Sequence, residues 1–149
     1  MIFTELEEFC DATAVSVATT TDDVILGDVM DLGSAPTLKG IGVGTDIYWV
    51  LQVDTAIAIA GAATVTFKLC SDSTANLATS KTTHAQTPAL NSATAVAGYT
   101  YVCPLPANFD FERYLGTWQT NATATITAGK INSFLTTEPS RWTALPAGI

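Results

Sequence analysis

Between Ile47 and Leu69 apolar and polar side chains recur with a period of two, which fits a half-buried strand and not a helix of 3.6 residues per turn. Ile47, Trp49, Leu51 and Val53 share one face, with Tyr48, Val50, Gln52 and Asp54 on the other. Ala63, Val65, Phe67 and Leu69 then point inward, and Thr64, Thr66 and Lys68 outward. A strand with one apolar face needs a second layer to cover it, so this stretch predicts a two-layer sandwich.

Shorter runs of the same kind extend along the chain, separated by Gly, Pro, Asn, Asp and Ser. They span Ala14 to Thr19, Val24 to Leu32, Ser80 to Gln86, Tyr99 to Pro104, Arg113 to Thr120, Ala122 to Thr127 and Lys130 to Thr136. With no long helical periodicity, and with 25 Thr and 22 Ala among 149 residues, the expected class is all-β. About nine runs at this spacing predict an antiparallel β-sandwich, with a jelly roll of about eight strands as one of the few available arrangements. The expected organisation is an acidic, apolar arm over 1–11, one jelly-roll domain over 12–137 and a tail over 138–149.

Charge narrows the partners. The formal net charge is −8, and eight of the fourteen carboxylates (Glu5, Glu7, Glu8, Asp11, Asp22, Asp23, Asp28 and Asp31) precede the first basic residue, Lys39. The six Lys and Arg are scattered, so no nucleic-acid-binding face is expected. The acidic end reads either as a solvated surface or as a match for a basic partner. No apolar stretch is long and uninterrupted enough for a membrane span, and the acidic start does not resemble a signal peptide.

Residues that could carry chemistry do not assemble into a known pattern. Cys10, Cys70 and Cys103 are far apart and odd in number, so buried free thiols are expected and no disulfide framework. His84 is the only histidine and lies in Lys81–Gln86, expected to be an exposed strand; a Ser/His or Cys/His hydrolase would have to use it, and no GxSxG accompanies it. Asp22, Asp23, Asp28 and Asp31 crowd one region without the spacing of a calcium loop, so solvated carboxylates explain them better than an ion. Gly40-Ile41-Gly42-Val43-Gly44 lacks the lysine and setting of a phosphate cradle. No catalytic residue, cofactor or metal is expected.

Trp49, Trp118 and Trp142, with Tyr48, Tyr99, Tyr101 and Tyr114, could stack on sugars, but core packing is the commoner fate of Trp49 and Trp118 within strands. Asn121-Ala122-Thr123 fits the N-glycosylation pattern without a secretory signal to give it meaning. Two segments rich in small residues, Ala35 to Asp46 and Ala89 to Gly98, read as loops. Apolar residues outside the strand pattern, namely Ile2, Phe3, Leu6 and Phe9 near the start and Trp142 and Leu145 near the end, are the candidates for contact with a partner or another copy.

The run Phe9 to Thr20 (FCDATAVSVATT), leading to Asp28–Gly33 (DVMDLG), resembles the opening of a family of phage capsid cement proteins first recognised in a Bordetella podophage. The resemblance continues through Thr64–Ser73 (TVTFKLCSDS), Arg113-Tyr114-Leu115 and Thr127-Ala128-Gly129-Lys130-Ile131, covering most of 9–136. It implies a jelly roll without catalytic activity, present as a homotrimer on the outside of an icosahedral capsid, made in the host cytoplasm and partnered by the major capsid protein. A carbohydrate-binding jelly roll for host attachment is the second expectation.

Overall fold

The computed structural model describes residues 7–15, 23–33, 45–105, 110–122 and 126–139. Eight strands follow in chain order: β1 (Glu8–Ala14), β2 (Asp23–Asp31), β3 (Ile47–Ile59), β4 (Thr64–Asp72), β5 (Thr82–Gln86), β6 (Thr100–Leu105), β7 (Tyr114–Ala122) and β8 (Ile126–Thr136). They form two four-stranded antiparallel sheets, ordered β1-β8-β3-β6 and β2-β7-β4-β5.

Four antiparallel pairs are nested around one hairpin: β4 with β5, β3 with β6, β2 with β7 and β1 with β8. This is a long hairpin rolled over on itself, and the roll adds the pairs β3·β8 and β4·β7. The expected jelly-roll sandwich is therefore the observed fold, with eight strands.

The period-two reading places the core correctly. Trp49, Leu51 and Val53 of β3 and Ile131 and Leu135 of β8 meet Val65, Phe67 and Leu69 of β4 and Leu115 of β7, all buried in one cluster. Polar side chains also point inward. Trp49 Nε1 donates to Ser133 Oγ (2.9 Å), and Ser133 Oγ shares a 2.7 Å hydrogen bond with Thr117 Oγ1. That chain joins β3 and β8 of one sheet to β7 of the other. Gln119 Nε2 donates to Asn121 Oδ1 (2.8 Å) beside it.

The structure departs from the sequence reading at both ends. Glu8 to Asp11, read as part of an arm, belong to β1, which pairs with β8 through two register shifts. Those irregularities bring both Phe9 and Cys10 inward, where a regular strand would bury only one of them. The expected strand Ala14 to Thr19 meets β1 only at Ala14, and residues 16–20 lie outside the described residues. The two expected runs Ala122 to Thr127 and Lys130 to Thr136 also resolve differently: β7 ends at Ala122, and Ile126 to Thr136 is one strand carried through Gly129.

Glycine is required where strands approach closely. Gly129 has φ +140°, and an added Cβ would lie 2.9 Å from the Ile57 Cα, where β3 bulges against β8. Gly27 has φ +67°, and a Cβ there would lie within 2.0 Å of the Phe9 carbonyl oxygen. Gly27→Ala therefore forces β1 and β2 apart and strains the backbone; a loss of about 2–4 kcal/mol is expected, read as a lower urea midpoint at unchanged slope.

Candidate functional site

The outer face of the β2-β7-β4-β5 sheet is covered by its own loop. Residues 73–81, between β4 and β5, fold back so that Leu77 is fully buried with Cys70 and Trp118, and Ile25 and Tyr114 pack alongside. Leu77 fits because Gly116 lies beneath it: a Cβ at Gly116 would stand 3.0 Å from Leu77 Cδ1. The loop is tied down by the buried Asp72, whose carboxylate accepts from the backbone N–H groups of Thr74 (3.1 Å), Thr79 (2.9 Å) and Ser80 (3.0 Å). Burial alone would raise the Asp72 pKa, but the N–H donors of Ser80, Thr74 and Thr79 and the Ser73 hydroxyl outweigh it and hold the pKa at about 2.

One edge of the same face carries a compact polar cluster. Asp23 accepts from Lys81 Nζ, Trp118 Nε1 and Thr120 Oγ1, and the Lys81 ammonium sits 3.8 Å from the Trp118 ring centroid. Burial acts against the Asp23 charge, yet Lys81, Thr120 and Trp118 together lower its pKa. Trp118 is thus buried on the outer face, under Lys81, whereas Trp49 is buried between the sheets. Neither offers a ring face to a sugar. Asn121 is 1 % exposed and inside the sandwich, so the glycosylation pattern falls on a side chain closed to a glycan.

The residues weighed for chemistry serve as fasteners. His84 is the extra residue where the β4·β5 register slips; its Nε2 lies 2.7 Å from Ser71 Oγ, and its ring packs edge-on against Phe111 at 4.6 Å. It is half-buried, unlike the exposed position expected, and burial lowers its pKa. Ser71 is fully buried, and its hydroxyl also accepts from the Glu112 N–H (3.1 Å), so this Ser–His pair joins β4, β5 and the approach to β7. Burial pushes the Cys10 thiol up to about 12 against a hydrogen bond from Thr13, and raises Cys70 as well. All three cysteines are free, but Cys103 is only partly buried because β6 is an edge strand.

Of the clustered aspartates, Asp22 lies outside the described residues, and the other three part company. Asp23 joins Lys81, Asp31 joins Arg113, and Asp28 lines a shallow groove with Glu8, Phe9, Cys10, Asp11 and Thr13. Among the described residues no group of three or more His, Cys, Asp and Glu side chains is placed to hold a metal ion. Of the six candidate contact residues, Ile2, Phe3, Leu6, Trp142 and Leu145 lie outside the described residues. Phe9 is a correction: at 2 % exposure it packs in the core, turned inward by the irregular β1. The segment Ala89 to Gly98 runs beside β3, with Gly98 N donating to Val53 O (2.8 Å) and Ile57 N to Ala95 O (2.9 Å), while most of Ala35 to Asp46 is not among the described residues.

Sequence reasoning missed the outer face of the β1-β8-β3-β6 sheet. Val102 (42 % exposed) on that face and, in the connection before β6, Val96 (48 % exposed) are the exposed large hydrophobic residues among the described residues. The signal was present in Tyr48 and Val50, apolar residues at outward positions of an otherwise regular alternation.

The motifs behind the resemblance hold the strand ends together. Arg113 Nε and Nη2 donate to Asp31 Oδ1 and Oδ2, each at 2.9 Å, while Leu32 N donates to Arg113 O at 2.7 Å. Arg113, and then the Gly33 N–H, lower the Asp31 pKa. One two-pronged pair thus closes the β2·β7 ladder. Being exposed, the pair is screened by water, and a double-mutant cycle on Asp31→Ala and Arg113→Ala is expected to return a small favourable coupling that weakens with added salt. Asp72→Asn is expected to cost about 1–3 kcal/mol at neutral pH. Because the folded state holds Asp72 below its ordinary 3.8, that contribution is complete above about pH 4 and fades as pH falls through about 2. Urea midpoints of wild type and variant should therefore converge between pH 4 and pH 2.

A search among curated proteins finds no match to the chain. The family model named Bbp16 matches residues 9–135, which run from the second residue of β1 to within one residue of the end of β8 and so take in the whole roll. By that match the chain belongs to the Bbp16 family, a phage protein family of the Bordetella type.

Proposed function

We propose that this protein is a structural component of a phage particle: it binds the outside of an icosahedral capsid as a trimer, bridges neighbouring capsomers and stabilises the DNA-filled head. The observation that carries this reading is the match to the phage family across the whole jelly roll, in which the motifs behind the resemblance fasten strands. In this role the molecule works by contact area and performs no catalysis.

The physics of a clamp suits such a molecule. A filled shell is strained outward, and its weak places are where capsomers meet without covalent bonds. A stable contact buries on the order of 1,600 Å² in total, and three linked copies bind far more tightly than one because the second and third contacts form intramolecularly. At −8 per chain, a trimer carries a formal −24, which disfavours packaged DNA as a neighbour and favours the outer surface. A rigid sandwich loses little freedom on binding, so more of the contact energy is kept as affinity. The contact segments in this reading are the apolar residues outside the roll, Ile2, Phe3 and Leu6 before it and Trp142 and Leu145 after it. The glycan-binding alternative loses two of its candidate stacking rings, since Trp49 and Trp118 are buried.

Purified protein should sediment as a trimer and pellet with capsids of its phage. Decorated particles should withstand heating at least several degrees beyond bare ones. A monomer that stays in the supernatant with those capsids would overturn the proposal.

A further inference from the structure

Each sheet ends in two edge strands, and the roll brings them together in pairs: β1 beside β2 on one side of the sandwich, β5 beside β6 on the other. Charge divides the same way. The β1/β2 side carries Glu8, Asp11, Asp23, Asp28 and Asp31, of which Asp23 and Asp31 are answered by Lys81 and Arg113. The β5/β6 side is drawn from residues 82–109, the longest stretch of the chain without Asp, Glu, Lys or Arg. Charged residues stand at its rim: Glu112, which accepts from Thr82 Oγ1 (3.5 Å), Lys68 opposite Gln86, and Asp54 next to the Val53 carbonyl that Gly98 bonds.

The register shows where the β6 edge is open. The Val53 N–H donates to the Tyr99 carbonyl (2.8 Å), so in this ladder Tyr101, Cys103 and Leu105 bond β3, and Thr100, Val102 and Pro104 turn their backbone groups outward. The connection before β6 continues the edge, because Gly98 N donates to Val53 O (2.8 Å) and Ile57 N to Ala95 O (2.9 Å). Along this line Val96, Ala97, Gly98, Thr100, Val102 and Pro104 are exposed. Val96 and Val102 are the two exposed large hydrophobic residues of the described chain.

A free strand edge templates pairing with another chain, and the other edges are guarded against it. β1 is irregular and acidic, β2 carries three aspartates, and β5 is five residues long. On β6, Pro104 has no N–H to offer at one end, which leaves Thr100 and Val102 unguarded.

The charge pattern selects the occupant. Copies of a chain with net charge −8 repel one another wherever their carboxylates face, whereas a different, basic partner would be drawn to the β1/β2 side. An uncharged, apolar edge is the surface on which two like-charged copies approach without that repulsion. We propose that copies of this chain meet along the β5/β6 side, with the line from Val96 to Val102 at the contact. The inference rests on the trimer reading and deepens it by naming the surface that builds the trimer. The acidic side and the segments outside the roll are then left for other partners.

Sedimentation of the full-length protein tests it, with wild type expected as a trimer at micromolar concentration. Val102→Asp and, independently, Thr100→Glu put carboxylates on the edge and should weaken assembly about tenfold or more, moving the mass toward a single chain. Both positions are exposed, so circular dichroism and a cooperative urea transition should still report a folded sandwich. Val96→Asp, outside the strands, gives the same reading where a strand variant fails to fold. Asp28→Lys, on the opposite side, should leave the trimer intact. Folded edge variants that remain trimers, or a trimer dissolved by Asp28→Lys and not by the edge variants, would overturn the proposal and leave the trimer reading standing. A monomeric wild type overturns both. Capsid pelleting is a separate readout: a trimer that the edge variants dissolve, but that does not pellet with capsids, supports this contact and defeats the capsid role alone.

Discussion

The two sheets are held in register by a short chain of buried hydrogen bonds running from the Trp49 indole through Ser133 to Thr117. Apolar packing between sheets is strong but has little preference for one offset over another, because a valine slides past a leucine at small cost. A buried hydroxyl or indole N–H left without a partner costs about 1–3 kcal/mol, so any other offset would be penalised at three side chains together. The middle strands β3, β8 and β7 thereby acquire one alignment, and the outer strands inherit it through their ladders.

From that alignment the nested pairing follows. The outer strands of the roll are fixed by partners distant in sequence, β1 by β8 and β2 by β7, so its closure carries the largest loop-closure cost. The local devices lie where such closure is weakest. Asp31 and Arg113 fasten the open end of β2·β7, Gly27 lets β1 come down onto β2, and Gly129 lets β8 pass the bulge in β3. The motifs by which the chain resembles its family are thus the means of closing a roll.

The outer faces are finished differently. One is sealed by the 73–81 loop, seated by Leu77 over Gly116 and tied by Asp72, with Asp23, Lys81 and Trp118 completing the seal. The other carries the apolar row Val102, Val50 and Phe134, with Val102 exposed. A sandwich with one face fully finished and the other apolar is asymmetric in what it can contact.

Period-two alternation from Ile47 to Leu69 was enough to place β3 and β4 and their inward residues, because a strand that is buried on one face writes its geometry directly into sequence. The same logic gave β2, β5, β6 and β7 to within a few residues. It gave β1 poorly, since the irregular pairing of Glu8 to Ala14 buries two successive side chains and breaks the period that reveals a strand. Phe9 was accordingly read as a contact residue when it belongs to the core. The sequence also could not show that Asp72 is buried under its own loop, that Ser71 meets His84 across a bulge, or that Asp31 meets Arg113 across 82 positions of chain. Composition and alternation determined the class of fold, because they depend only on which face of a strand meets water. Strand order, the buried polar chain and the loop seal on one outer face were decided by tertiary structure, because each depends on residues from separate strands arriving at one place.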